Sequence, residues 1–263
     1  MKMEGKKIIM FAGALICAGM LIFCGALAAS EFSWQKLSRD VSGYEERTFN
    51  AVGSFSRVQI DGVDANISIQ TTAGEQCTVI YDDSDRGTYH VGMDEDTLVI
   101  ERDVPWFDTF GIIMSAPKVT VYLPEAEYED LDVSAVSGSI RIDNLDAKRM
   151  NLTATSGKIA LSGVNVARDA SLKTVSGGIH MEALRADSLT ARTTSGGIRL
   201  DGVDARDLEL RTVSGSIRGT LLSGKEFEAS SVSGRIDVPE SNPGAGVCSA
   251  STTSGRIEIG LAE

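Results

Sequence analysis

Only two histidines, His90 and His180, occur in 263 residues, which leaves little material for acid–base or metal chemistry. They lie far apart, with no cysteine or carboxylate pattern of zinc-ligand spacing around either, so neither metal nor other cofactor is expected. His180 follows an apolar Ile179 and is expected to face solvent. Cysteine is nearly as scarce. Of four, Cys17 and Cys24 lie in one apolar run and lack the sequence context of a lipoprotein signal, so they read as buried thiols. Cys77 and Cys248 stand near opposite ends of the remainder, and no disulfide framework is indicated. Aromatic residues make up 6% and prolines number 5, against 27 glycines, which points to a core of small aliphatic side chains joined by tight turns. The 42% hydrophobic content is enough for such a core and excludes wholesale disorder. Cations are in deficit: the net charge is −12, so nucleic acid is not an expected partner.

The one long apolar run is at the start. Lys2, Lys6 and Lys7 precede Ile8 to Ala29, which contains no charged residue and is long enough to cross the ~30 Å hydrocarbon layer as a helix. Lysines held on the cytoplasmic side would send the rest of the chain outward. A cleaved signal peptide is the rival reading, with Ala26-Leu27-Ala28 as a small-residue cleavage site. The expected location is therefore the cell membrane, single-pass, with the body outside the cytoplasm.

Internal repetition decides the fold class. Ser-Gly, one further residue and then Ile occur seven times, beginning at Ser137, Ser156, Ser176, Ser195, Ser214, Ser233 and Ser254. Six residues before these serines stand Leu131, Met150, Ala170, Leu189, Leu208, Phe227 and Cys248; four before stand Val133, Leu152, Leu172, Ala191, Leu210, Ala229 and Ala250. Two before, the residue is small or hydroxylated, from Ala135 to Thr252. After the glycine the alternation resumes, as in Ile140 and Ile142, and a third apolar step comes at Leu145, Val164, Leu184, Val203 and Leu222. Period two signals half-buried strands, and segments this short exclude helices. Such a unit cannot bury its apolar face alone, so the units are expected to stack. The reading is an all-β, single-stranded-coil β-solenoid (β-helix) with rungs of about 19 residues, an irregular β N-terminal cap and one preceding transmembrane helix. Seven rungs at ~4.8 Å would extend roughly 34 Å. The glycine is expected to supply positive φ at a sharp corner, and the serine hydroxyl to bond nearby backbone or the serine one rung away. The last unit, Cys248 to Ile259, would leave an exposed edge.

The expected organisation is an anchor or signal peptide at 1–29, a linker at 30–53, the β-rich cap at 54–124 and the repeats at 125–263. Between Arg102 and Lys118 lies an apolar insert containing Trp106, Phe107 and Phe110, which reads either as a plug over the first rung or as a loop that docks a partner or membrane. Acidic clusters such as Asp82, Asp83 and Asp85 lack calcium-loop spacing and read as solvated turns. Lys173, Arg192 and Arg211 share one repeat position on successive units, and Arg199 and Arg218 share another. Like charges at strand spacing repel, so acids such as Glu209 are expected to compensate, and the stripe is a candidate surface for an anionic cell-wall polymer. Seven nucleophilic serines are not a credible alternative, because no histidine recurs beside them and no Gly-x-Ser-x-Gly elbow exists.

With Lys118-Val119-Thr120-Val121-Tyr122-Leu123-Pro124 leading into Leu131-Asp132-Val133 and then the Ser-Gly-x-Ile units, the chain resembles the bacterial "putative adhesin" β-strand-repeat family, a domain of unknown function. The resemblance spans Phe55 to Ile259, and the anchor, cap and insert look like Firmicutes members. Family members commonly carry Asp after the turn glycine; here the residue is Ser, Lys, Gly or Arg, so no acid-dependent property of those turns carries over. The resemblance implies a cell-surface protein in adhesion or envelope-stress signalling and supplies no catalytic residue. Three functions are thus in view: a non-enzymatic binding, adhesion or scaffolding module; a sensory subunit that binds cationic antimicrobial peptides or works with a membrane signalling protein; and, least supported, a polysaccharide-active enzyme.

Overall fold

In a computed structural model, the structure describes residues 44–51, 53–62, 64–84, 87–103 and 116–262. The apolar run at 8–29, most of the linker, and Trp106, Phe107 and Phe110 lie outside them. Among the described residues every regular element is a strand. β1 (Glu45–Ala51), β2 (Arg57–Gly62), β3 (Asn66–Thr72), β4 (Cys77–Asp83), β5 (Thr88–Asp94), β6 (Thr97–Asp103) and β7 (Lys118–Pro124) precede the repeats. The repeats contribute β8 (Glu127–Ala135), β9 (Ile140–Asp143), β10 (Asp146–Ala154), β11 (Ile159–Ser162), β12 (Asn165–Thr174), β13 (Ile179–Glu182), β14 (Arg185–Thr193) and β15 (Ile198–Thr212). They end with β16 (Ile217–Leu221), β17 (Glu226–Ser231), β18 (Ile236–Asp237), β19 (Val247–Thr252) and β20 (Ile257–Leu261).

Each coil places one strand in each of two parallel ladders, joined at the Ser-Gly turn. One ladder runs β6-β2-β8-β10-β12-β14-β15-β19-β17, and the other runs β7-β3-β9-β11-β13-β15-β16-β20-β18. β15 is long enough to serve both. The motif isoleucines fall in one file, Ile67-Ile140-Ile159-Ile179-Ile198-Ile217-Ile257-Ile236. All but the last are at most 1% exposed. Full burial of each aliphatic side chain is worth ~1.5–3 kcal/mol, which is how units too small to fold alone become stable together.

Spatial order departs from sequence order at both ends. The β2–β3 coil sits between β6–β7 and β8–β9, and the β19–β20 coil sits between β15–β16 and β17–β18. At the N-terminal end the chain lays β6–β7 outside β2–β3 and then crosses to the other side; at the C-terminal end it steps over one coil position and returns to fill the gap. The exposed edge expected at Cys248 to Ile259 is therefore elsewhere: that coil is interior, and Glu226–Asp237 forms the end. The return through Pro239 to Gly246 accounts for the longest repeat spacing.

Two further expectations are corrected by the packing. Leu222 is 46% exposed, because a register shift after Leu200 aligns Leu221 with Val203 and buries Leu221 instead. The turn glycines are not needed for positive φ. A Cβ on Gly196 would land on the Gly177 carbonyl of the coil beneath, and the same holds along Gly138, Gly157, Gly177, Gly196, Gly215, Gly255 and Gly234. Glycine is required there for backbone-to-backbone approach.

Candidate binding surface along the Ser-Gly edge

The turns that join the two ladders stack into one edge of the solenoid. Its foundation is a file of hydroxyls two residues before five of the seven serines, with Ala135 and Ala154 at the other two. Thr174, Thr193, Thr212 and Thr252 donate to the glycine carbonyl of the neighbouring coil (Gly157, Gly177, Gly196 and Gly215) at 2.8–3.1 Å, and Ser231 donates to Gly255 at 3.1 Å. Thr174, Thr193 and Thr212 also accept from their own turn glycine, at 3.1–3.2 Å. The hydroxyl that ties coil to coil is thus the threonine, not the repeat serine. The serines are exposed, and their hydroxyls make no hydrogen bond to other described residues.

Immediately before the serines, exposed side chains alternate in spatial order: Val136, Thr155, Val175, Thr194, Val213, Thr253, Val232. The alternation is regular only because the last two coils exchange places. A strip of uncharged methyls and hydroxyls therefore runs the length of the edge.

The two cation stripes flank this strip. Lys173, Arg192 and Arg211 are in register on β12, β14 and β15, three residues before their serines. Arg199 and Arg218 are in register on β15 and β16, four residues after theirs, with His180 next in file on β13. The stripes occupy different ladders but border the same edge. Glu209 compensates as expected, accepting from Arg192 at 2.7–2.8 Å and lying 3.5 Å from Arg211. Arg199 donates to Asp201 at 2.9 Å, and Arg141 donates to Asp143 at 2.7 Å. These hydrogen bonds push both guanidinium pKa values up. Lys158, Lys173 and Arg218 have no ion-pair partner among the described residues. His180 is half-buried, with Nε2 3.6 Å from Asp201. Lys158, Arg235 and Arg256, two residues after their serines, extend the basic border and were not singled out from the sequence. A charge count taken around each repeat serine, rather than along single stripes, would have found them.

The corner remote from this edge is acidic. A groove of about 540 Å³ is lined by Glu127, Asp146, Asn165, Arg185 and Asp187 over a floor of Ala147 and Val166. No group of His, Cys, Asp or Glu among the described residues could hold a metal ion. The carboxyls of Asp96 and Asp130 are held below the usual carboxylate range, chiefly by hydrogen bonds from Ser56 and Arg149. That shift is opposite to what a general acid needs. Burial pushes the thiols of Cys77 and Cys248 up to about 11, which makes both poor nucleophiles.

The Toastrack DUF4097 profile matches residues 55–263, nearly the whole of the described body. The chain belongs to the Toastrack DUF4097 family. No curated protein matches it. Among solved structures, this Toastrack chain is similar to a "putative adhesin" from Parabacteroides distasonis, at 11% identity and TM-score 0.51, covering 82% of this chain and 97% of that one. It is also similar to a "putative adhesin" from Bacteroides fragilis, at 16% identity and TM-score 0.45, covering 83% and 97%. A "putative cell adhesion protein" from Clostridium sporogenes matches at 11% identity and TM-score 0.42, covering 83% and 100%. At these identities the likeness concerns the fold.

Proposed function

We propose that this Toastrack chain is a non-enzymatic binding module of the bacterial envelope, held to the membrane by residues 8–29 and acting in adhesion or scaffolding outside the cytoplasm. The observation that carries this reading is the division of labour in each coil. The buried repeat positions serve the stack, while several outward positions line up like side chains at strand spacing, as in Lys173, Arg192 and Arg211, and in the seven serines. Such a surface offers an extended ligand the same contact repeatedly, and affinity then accumulates over weak contacts. The name of the solved structure from Parabacteroides distasonis, a "putative adhesin", points the same way. The test is co-sedimentation of the full chain with isolated envelopes, alongside protease accessibility on intact cells. Saturable binding with an accessible body is expected; a chain that neither sediments nor is cut from outside would end this reading.

A second reading, sensing of cationic peptides, has its own support in the acid-lined corner groove and the net charge of −12. It requires peptide binding that disappears at high salt and weakens when Glu127 and Asp146 are replaced by Gln and Asn.

A further inference from the structure

The charge of the molecule is segregated, and the segregation follows the repeat. From three residues before each repeat serine to four after it, the seven turns carry nine Lys or Arg and two Asp or Glu. The chain as a whole carries −12. We propose that the Ser-Gly edge is a binding track for a linear phosphate-bearing polyanion, which lies along the exposed serines between the two cation rails. This rests on the envelope-binding reading and names its site and ligand chemistry.

Nothing in the fold asks for cations at these places. On the other coils their rank is filled by Ser134, Thr153, Ser251 and Ser230, and at the N-terminal end by the acidic Asp61 and Glu101. Aligning like charges at strand spacing costs stability. The rails nevertheless coincide on the three middle coils, where Lys173, Arg192 and Arg211 border one side and His180, Arg199 and Arg218 the other. Their present partners do not lock them. The side chains of Arg192 and Glu209 are 45% and 33% exposed, and those of Arg199 and Asp201 are 68% and 37% exposed. Ion pairs this open are worth little, so an incoming anion can replace them.

Three features select the ligand. Seven serine hydroxyls without a partner among the described residues lie in one rank, three of them (Ser176, Ser195 and Ser214) between the rails, offering donors spaced ~4.8 Å apart. Seven of the nine edge cations are arginine, whose planar fork matches phosphate oxygens. The edge is continuous from coil to coil, so it suits a chain more than a compact molecule. The polyanion is bound at several points, each weak, and the complex is salt-sensitive.

The test is equilibrium binding of the full-length chain to synthetic poly(glycerol phosphate) over a salt series. Lys173→Gln/Arg192→Gln/Arg211→Gln is compared with Arg149→Gln/Arg206→Gln at the remote corner, and melting curves confirm folding. The first variant is expected to bind at least tenfold more weakly, with the slope of log Kd against log salt reduced by about 2. The remote pair should bind as the parent does. Ser176→Ala/Ser195→Ala/Ser214→Ala keeps every charge and is expected to lose severalfold. Equal losses in the rail and remote-corner variants, or none in either, would overturn the track. Polygalacturonate, which carries carboxylates in place of phosphates, bound as tightly as the polymer would overturn the ligand assignment. If the chain sediments with envelopes yet ignores the polymer, this inference fails alone. If it does neither, the envelope-binding reading fails with it.

Discussion

The two ends of the solenoid share an interlock and differ in how they are sealed. At both, the coil nearest the end in sequence is tucked inside, and its neighbour takes the outermost place. At the N-terminal end the outermost coil, β6–β7, is then covered by antiparallel strands: β5 on one ladder and β4 followed by β1 on the other. Leu98, Ile100, Val119 and Val121 of that coil are wholly buried as a result. At the C-terminal end no strand among the described residues lies beyond β17–β18, and Val232 and Ile236 are 84% and 41% exposed. Interlocking thus fixes the order of the coils, but only added strands hide their apolar faces. The open end is blunted by other means. Ser241 accepts from the Phe227 amide at 2.9 Å and donates to its carbonyl at 3.5 Å, which takes one residue of the edge out of use, and Pro239 and Pro243 flank it. An edge so treated resists unwanted pairing.

The largest expected effect exploits one motif position in two settings. Ile198 is 1% exposed in the middle of the isoleucine file, whereas Ile236 ends it. Ile198→Asp puts a charge between two apolar neighbours without a partner and is expected to abolish the cooperative melt, a loss above ~4 kcal/mol. Ile236→Asp, with its carboxylate in water, should cost under ~1 kcal/mol. Parallel thermal and urea unfolding of the two variants checks this. Similar losses would mean that the end coil is covered in solution, and parental melting in Ile198→Asp would contradict the stack itself.

How far the sequence went can be judged from the same residues. The isoleucine file, the in-register stacking of short strands and the cation stripes were legible because each depends only on spacing within a unit, which a repeat displays directly; that each unit has two strands in regular ladders was not. The coil exchange was not, because a repeat states how units resemble each other and not which are neighbours; the nine-residue return at 238–246 was its sole trace. The role of the turn glycine was misjudged for a related reason. Positive φ and close approach both demand glycine, and only the position of the next carbonyl distinguishes them. The Val–Thr alternation along the edge becomes regular only after the exchange. Leu222 failed as a core residue because a one-residue register shift is invisible where Leu221 and Leu222 are adjacent and alike.

A middle-sized effect separates the solenoid from its N-terminal cap. Gly196→Ala drives a methyl group into the Gly177 carbonyl of the adjacent coil, and backbone cannot withdraw without breaking the ladder. Gly92, on the covering strand β5, has open space where its Cβ would be. The first substitution is expected to cost ~3 kcal/mol or more and the second to change stability by under ~1 kcal/mol. Differential scanning calorimetry of both would show it. A neutral Gly196→Ala would mean the coils can separate by roughly an ångström or more at no cost, which the buried Thr193 and Thr212 bonds to Gly177 and Gly196 oppose.

The smallest effect uses the two buried thiols, one near each end. Cys77 lies on β4 of the covering strands and Cys248 on the tucked-in coil. Burial raises each from 9.0 to about 11, so the folded form holds its proton where the unfolded chain has lost it. The stabilisation is intact below pH 9 and is lost as pH rises towards 11, and each thiol should remove on the order of 1 kcal/mol by pH 10. Replacing either cysteine with alanine is therefore expected to flatten the fall in unfolding free energy between pH 8 and pH 10, measured by urea denaturation at each pH. Comparing each variant with itself at two pH values cancels the cost of the missing sulfur. Equal flattening from Cys77→Ala and Cys248→Ala would show that one bare coil shields a thiol as well as the antiparallel seal does. A much smaller change from Cys248→Ala would mean that the β17–β18 coil frays in solution, and that the open end is open by more than one coil.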